Sequence, residues 1–144
     1  ITHQLGNNIA VIGNATVTDV YLSYDAGATA HAAAFTESSD LKLKDFIQPL
    51  DYGLSYILKL NPVSYYWKDS FSGDKTLQIG LIAQDIEKVN ATMQIENQIV
   101  HKAKTDDDSM GVEYSTLVVP LIKAVQELNS EIEKLKAEIE ELKK

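Results

Sequence analysis

The chain has 144 residues, with 44% hydrophobic and 24% charged residues, a net charge of −8 and no cysteine. That length allows one modest domain with a core plus an appended element. The acidic balance argues against long-range attraction to nucleic acid or anionic membranes, and the missing thiols exclude disulfides and cysteine catalysis.

Residues 1–37 are rich in β-formers, in the runs "NIAVIG", "ATVTDVYLSY" and "AGATAHAAAF". Gly6, Gly13 and Gly27, with Asn7, Asn8 and Asn14 nearby, predict turns between short strands. Few large apolar side chains are present, so the segment alone cannot bury enough area to offset its chain entropy. It reads as the end of a larger β-structure or as a strand-adding arm. The chain opens on Ile1, as expected of a piece of something longer.

The stretch "TESSDLKLKDFI" marks a change of texture, and "LKLKDFIQ" alternates as an extended segment would. "PLDYGLSYILKLNPV" places Leu50, Leu54, Ile57 and Leu58 at helical spacing, with Asp51 as N-cap and Asn61-Pro62 as the stop. "VSYYWKD", the turn "SFSGDK" and "TLQIGLIA" predict a hairpin over 63–83. "AQDIEKV" predicts a short helix with Ile82, Ile86 and Val89 on one face, and "MQIENQIV" a further strand. "HKAKTDDDSMG" is a loop, and "GVEY" leads into a long C-terminal helix.

That helix carries the clearest periodicity. Leu121, Val125, Leu128, Ile132, Leu135, Ile139 and Leu142 form a heptad stripe with Val/Ile at a and Leu at d. A helix this exposed is marginal alone, so the stripe needs a partner. Over 121–128 the chain's own core and an oligomeric coiled coil both remain open as that partner. Over 129–144 nothing else in so small a chain could cover it, which favours the oligomer. Pro120 predicts a helix start or kink.

Site chemistry is sparse. His3, His31 and His101 lack ligand spacing, no Arg is present, and "KTDDDS" lacks the Gly and distal Glu of a calcium loop; no metal or cofactor is expected. Tyr65, Tyr66 and Trp67 could stack on sugars or bases, but their alternation fits a buried strand face better. Ser39-Asp40 is ordinary turn or cap chemistry. Lys44, five residues on, could form a hydrolytic serine–lysine pair with Ser39. Regular geometry resists it: on a strand the two would stand roughly 16 Å apart, and on a helix roughly 140° apart around the axis. Either the chain bends sharply there or each serine meets a neighbouring chain's lysine.

Taken together, "SSDLKLKDFIQPL", "YGLSYILKLNPVSYYWK", "QIGLIAQDIEKV", "GVEYSTLVVPLIKAVQEL" and the terminal heptads resemble one family over roughly 38–135. It is the peptidase S74 or intramolecular chaperone domain at the C-terminus of bacteriophage tailspikes, tail fibres and neck appendages. The resemblance implies an α+β fold: a short N-terminal β arm, a small mixed core with a few antiparallel strands, and a coiled-coil helix in a homotrimer. It implies residues 1–38 as the end of a fibre, 39–119 as the chaperone core and 120–144 as the coil. It further implies folding of the upstream β-helical fibre in the host cytoplasm, then autoproteolysis between Ser38 and Ser39, the fibre passing to the virion. Ser39 would be nucleophile, Lys44 general base and Asp40 a support, with no nucleic acid or membrane partner. Lys42 stands where the family frequently has Arg. A non-cleaving trimerisation or attachment module and a carbohydrate-binding fibre tip are the alternatives.

Overall fold

A computed structural model describes residues 12–14, 16–17, 20, 22, 29–104 and 109–144. The strands expected at "NIAVIG" and "ATVTDVYLSY", the acids of "KTDDDS" and His3 therefore lie mostly or wholly outside the described residues. The chain divides into two compact units, residues 1–38 with 67–74 and residues 39–66 with 75–144.

In the first unit, residues 29–38 run without helix or strand and are exposed throughout. A local turn forms at Asn14, whose Oδ1 accepts from the Thr16 backbone N–H at 2.9 Å and from its hydroxyl at 2.7 Å. Trp67 lies here, tilted against Phe71 with ring centroids 4.7 Å apart. It is not part of the strand expected over "VSYYWKD", which ends at Tyr65. The Tyr65–Trp67 alternation therefore does not define one buried face.

The second unit is a mixed α and β structure with two small antiparallel sheets and a long C-terminal helix. A 3₁₀ turn at Leu41–Leu43 is followed by α1 (Leu54–Ile57), β1 (Val63–Tyr65), β2 (Gln78–Gly80) and α2 (Ala83–Met93). Then come β3 (Val100–His101), β4 (Gly111–Val112) and α3 (Val118–Leu142). The expected hairpin is present, with Val63 opposite Gly80 and Tyr65 opposite Gln78. β3 pairs with β4, Val100 opposite Val112.

Several local expectations fail for identifiable reasons. "LKLKDFIQ" does not begin extended, because Asp40 caps the turn that occupies Leu41–Leu43. The α1 helix is one turn long, and its N-cap is Gly53, not Asp51. The Leu54 N–H instead reaches Glu127 Oε2 on α3, at 2.7 Å. "MQIENQIV" is not one strand: α2 continues through Met93, and Gln94 ends it in the left-handed region at φ 56°.

The core centres on Tyr56, Ile86 and Ile99, packed round by Leu60, Leu81, Val89 and Leu117 among others. Burying a ring as large as Tyr56 requires a partner for its hydroxyl. Asn90 Oδ1 accepts it at 2.9 Å, and Asn90 Nδ2 donates to Asn97 Oδ1 at 3.2 Å. Asn97 Oδ1 also accepts the Ile99 N–H at 3.1 Å, fixing the chain as it enters β3.

The α3 helix settles which of its faces meets this core. Pro120 and Ala124 are buried. At Gly53 a Cβ would lie 2.7 Å from the Ala124 N, so α1 touches the α3 backbone where only glycine fits. Pro120 sits in the first turn of α3, where its missing N–H has no intrahelical partner to lose. The heptad stripe faces elsewhere: Leu121, Val125, Leu128, Ile132, Leu135 and Ile139 are each 45–58% exposed, and Leu142 87%. The chain's own core therefore leaves the heptad positions Leu121, Val125 and Leu128 about half open. Three i,i+3 pairs, Glu131–Lys134, Glu133–Lys136 and Glu140–Lys143, line the exposed length.

Candidate functional site

Local bonding builds the site from six consecutive residues, Ser39 to Lys44. Asp40 is extended, with φ −66° and ψ 136°, and its Oδ1 accepts the Lys42 backbone N–H at 3.0 Å. That bond is the Asx cap expected of an acid at a turn start. Leu43 N–H then bonds Asp40 O at 3.0 Å, and Lys44 N–H bonds Leu41 O at 3.1 Å. One tight turn thus replaces the strand or helix between Ser39 and Lys44. Beyond it Lys44 is extended again, and its Nζ donates to Ser39 Oγ at 2.7 Å. The sharp bend brings these two side chains of one chain together.

The second carboxylate oxygen, Asp40 Oδ2, pairs with Lys42 Nζ at 3.1 Å. These two contacts, first the Lys42 backbone bond and then its side chain, hold the Asp40 carboxyl below the usual carboxylate range. Ser38 is exposed, as are all residues of the turn. Leu41, Leu43 and Ile47 leave much of their apolar surface open, and Phe46 is 97% exposed at a left-handed φ of 51°.

Of the residues singled out from sequence, Ser39, Asp40 and Lys44 come together, with Ser38 adjoining in the chain. The seven heptad residues share one face of α3 and belong to no pocket with them. Two features of this segment were not legible. Lys42 supplies both the N–H and the ammonium to Asp40, yet alternation alone gives it no partner. Phe46 has no pattern that signals a left-handed backbone.

Among the described residues, no three His, Asp or Glu side chains converge to hold a metal. Among them, no helix is long and apolar enough to cross a membrane. A cleft lined by Asn90, Gln94, Asn97 and Lys102, between α2 and β3, includes no residue of 38–44.

The fold and this turn define a small α+β domain with a serine–lysine pair at its N-terminal edge and a long helix at its other end. Residues 39–95 match the family model Peptidase_S74, chaperone of endosialidase. The matched segment begins at Ser39 and ends before β3, β4 and α3, covering less than half of the chain. Comparison with curated proteins gave no match. The family supports a chaperone role for the chain.

Proposed function

We propose that the chain is a self-releasing intramolecular chaperone that trimerises, directs folding of a β-rich phage fibre upstream, and then cuts itself off between Ser38 and Ser39. The observation carrying this reading is the 2.7 Å contact between Lys44 Nζ and Ser39 Oγ. The family match starting at Ser39, and the border between the two units at the same peptide, support it.

The chemistry is a single turnover in cis. With Lys44 neutral, its lone pair takes the Ser39 hydroxyl proton while Oγ attacks the Ser38 carbonyl carbon. The Ser38–Ser39 C–N bond breaks, the Ser39 nitrogen takes the proton from Lys44, and an ester joins the Ser38 acyl group to Oγ. Water hydrolyses that ester, leaving a Ser38 carboxylate and a restored Ser39 hydroxyl. Residues 1–38 would leave with the fibre; 39–119 and the coil 120–144 would be discarded.

Assembly rests on α3. Its half-exposed heptad stripe is the surface a coiled-coil partner would cover. Val/Ile at a with Leu at d favours a dimer by local rule. The trimer therefore draws on the family resemblance, with the core and not the coil choosing the number of chains.

Incubating the purified chain and weighing the products tests the proteolytic step. Two pieces, 1–38 and 39–144, are expected, and both vanish in Ser39→Ala and Lys44→Ala. An intact mass throughout would leave a permanent trimerisation module instead.

A further inference from the structure

We propose that Asp40 and Lys42 form a positioning clamp. The carboxylate folds the turn that carries Lys44 to Ser39, and the Lys42 ammonium occupies that carboxylate so that Lys44 stays on the hydroxyl. The inference rests on the serine–lysine reading above; it adds Lys42 and says how Asp40 gives its support.

The first half follows from the bonds of the turn. Extended chain would separate Ser39 and Lys44 by roughly 16 Å. The contact exists because the chain folds at Leu41–Leu43, and the cap on that turn is Asp40 Oδ1 on the Lys42 N–H. No residue of the turn is buried, so no core packing holds it in place. An exposed 3₁₀ turn is weakly held by itself, which makes its side-chain cap a large share of what keeps it closed.

The second half follows from charge. Asp40 is bonded in the chain to Ser39, and this segment carries two ammonium groups, Lys42 on the Asp40 carboxylate and Lys44 on the Ser39 hydroxyl. A charge-assisted bond to a carboxylate is roughly twice as strong as one between neutral groups. An unengaged Asp40 would thus compete with the Ser39 hydroxyl for Lys44. Lys42 opposes this, because its N–H takes Oδ1 and its Nζ takes Oδ2 at 3.1 Å. Since Asp40 and Lys42 are largely exposed, the ion-pair contribution is modest and salt-sensitive.

Single-chain cleavage rates, measured by mass spectrometry on the full chain, separate the two roles. Asp40→Ala removes the acceptor and slows cutting about tenfold, the scale of a lost cap. Asp40→Asn keeps an oxygen for the Lys42 N–H and holds the rate within about threefold of the parent. Lys42→Met keeps the N–H but frees the carboxylate, slowing cutting severalfold; Asp40→Asn added to Lys42→Met restores it. Equal rates for Asp40→Ala and parent, or for Asp40→Asn and Asp40→Ala, overturn the cap. A Lys42→Met rate equal to the parent's, or no recovery in the double variant, overturns the charge role.

If the parent shows no Ser39-dependent cutting, the proteolytic reading falls, and the clamp is decided in the Ser39→Ala chain by NMR. The Lys42 amide proton should lie downfield, titrate with the Asp40 carboxyl, and lose that shift in Asp40→Ala. A Lys42 amide indifferent to Asp40→Ala overturns the clamp.

Discussion

Glu127 on α3 caps a helix 73 residues earlier in the chain: its Oε2 accepts the Leu54 N–H at 2.7 Å. Gly53, the N-cap of α1, has no side chain to do so, and that same glycine lets α1 reach the α3 backbone. Glu127→Ala should therefore cost about 1 kcal/mol, the usual loss of an N-cap. Glu127→Gln should cost clearly less, because it keeps the oxygen. Urea unfolding of the three chains at neutral pH measures both; equal losses for Ala and Gln would mean charge, not capping, matters here.

Gly80 and Tyr114 are coupled through one atom. Tyr114 Oη accepts the Leu81 N–H at 2.7 Å, and a Cβ on Gly80 would lie 2.6 Å from that same oxygen. Gly80→Ala in the parent should cost about 1–3 kcal/mol, the range of overpacking. In a Tyr114→Phe background the next neighbour is Tyr65 Cε1 at 3.4 Å, an ordinary contact. The alanine should then cost at least 0.5 kcal/mol less, the lower end of coupling between touching residues. A double-mutant cycle by thermal or urea unfolding checks this, and strict additivity would contradict it.

Tyr56 provides the alkaline limit. Burial pushes its phenol above the ordinary value of 10.0. With the folded value raised, the folded state holds the proton more tightly than the unfolded one. Its contribution is thus complete below pH 10.0 and is lost as pH rises through the elevated folded value. Stability measured from pH 9 to 12 should fall more steeply in the parent than in Tyr56→Phe. At pH 7 the same variant should lose about 1 kcal/mol, since Asn90 loses its hydroxyl donor.

How much of this was readable from sequence depends on whether a signal was local or borrowed. The hairpin, α2 and α3 declared themselves through β-branched runs and apolar spacing, and each is present. Asp51 failed as a cap because the competing acceptor, Glu127, comes from a distant helix that no local pattern predicts. "MQIENQIV" failed because α2 could run on to a left-handed Gln94 where a glycine stop would have been visible. At the site, the ordinary reading of Ser39-Asp40 as a cap is met, and the bend lies beside a Lys44–Ser39 contact. Asp40 is a cap, and capping brings Lys44 onto Ser39. Strand and helix geometry argued against the pair because neither allows for a one-turn bend, the alternative that the sequence left open.

The heptad stripe gives the last prediction, which links assembly to cutting. Pro120 and Ala124 meet α1 and the core, while Leu128 and Leu135 point away from it, each nearly half exposed. Lys at both positions would place like charges in the seam of any coiled coil, yet would leave the Glu–Lys pairs along α3 intact. If the parent assembles as proposed, Leu128→Lys with Leu135→Lys should sediment as a monomer, while circular dichroism still reports the folded core. The parent's mass decides between the dimer that the a and d residues favour and the trimer proposed above. Because the serine–lysine contact forms within one chain, assembly is not needed to bring Lys44 to Ser39. Any dependence of cutting on oligomerisation must then act on how the Ser38 carbonyl is presented to Oγ. A monomeric variant that cuts at the parent rate would remove that coupling, and would leave the intact turn alone sufficient for release.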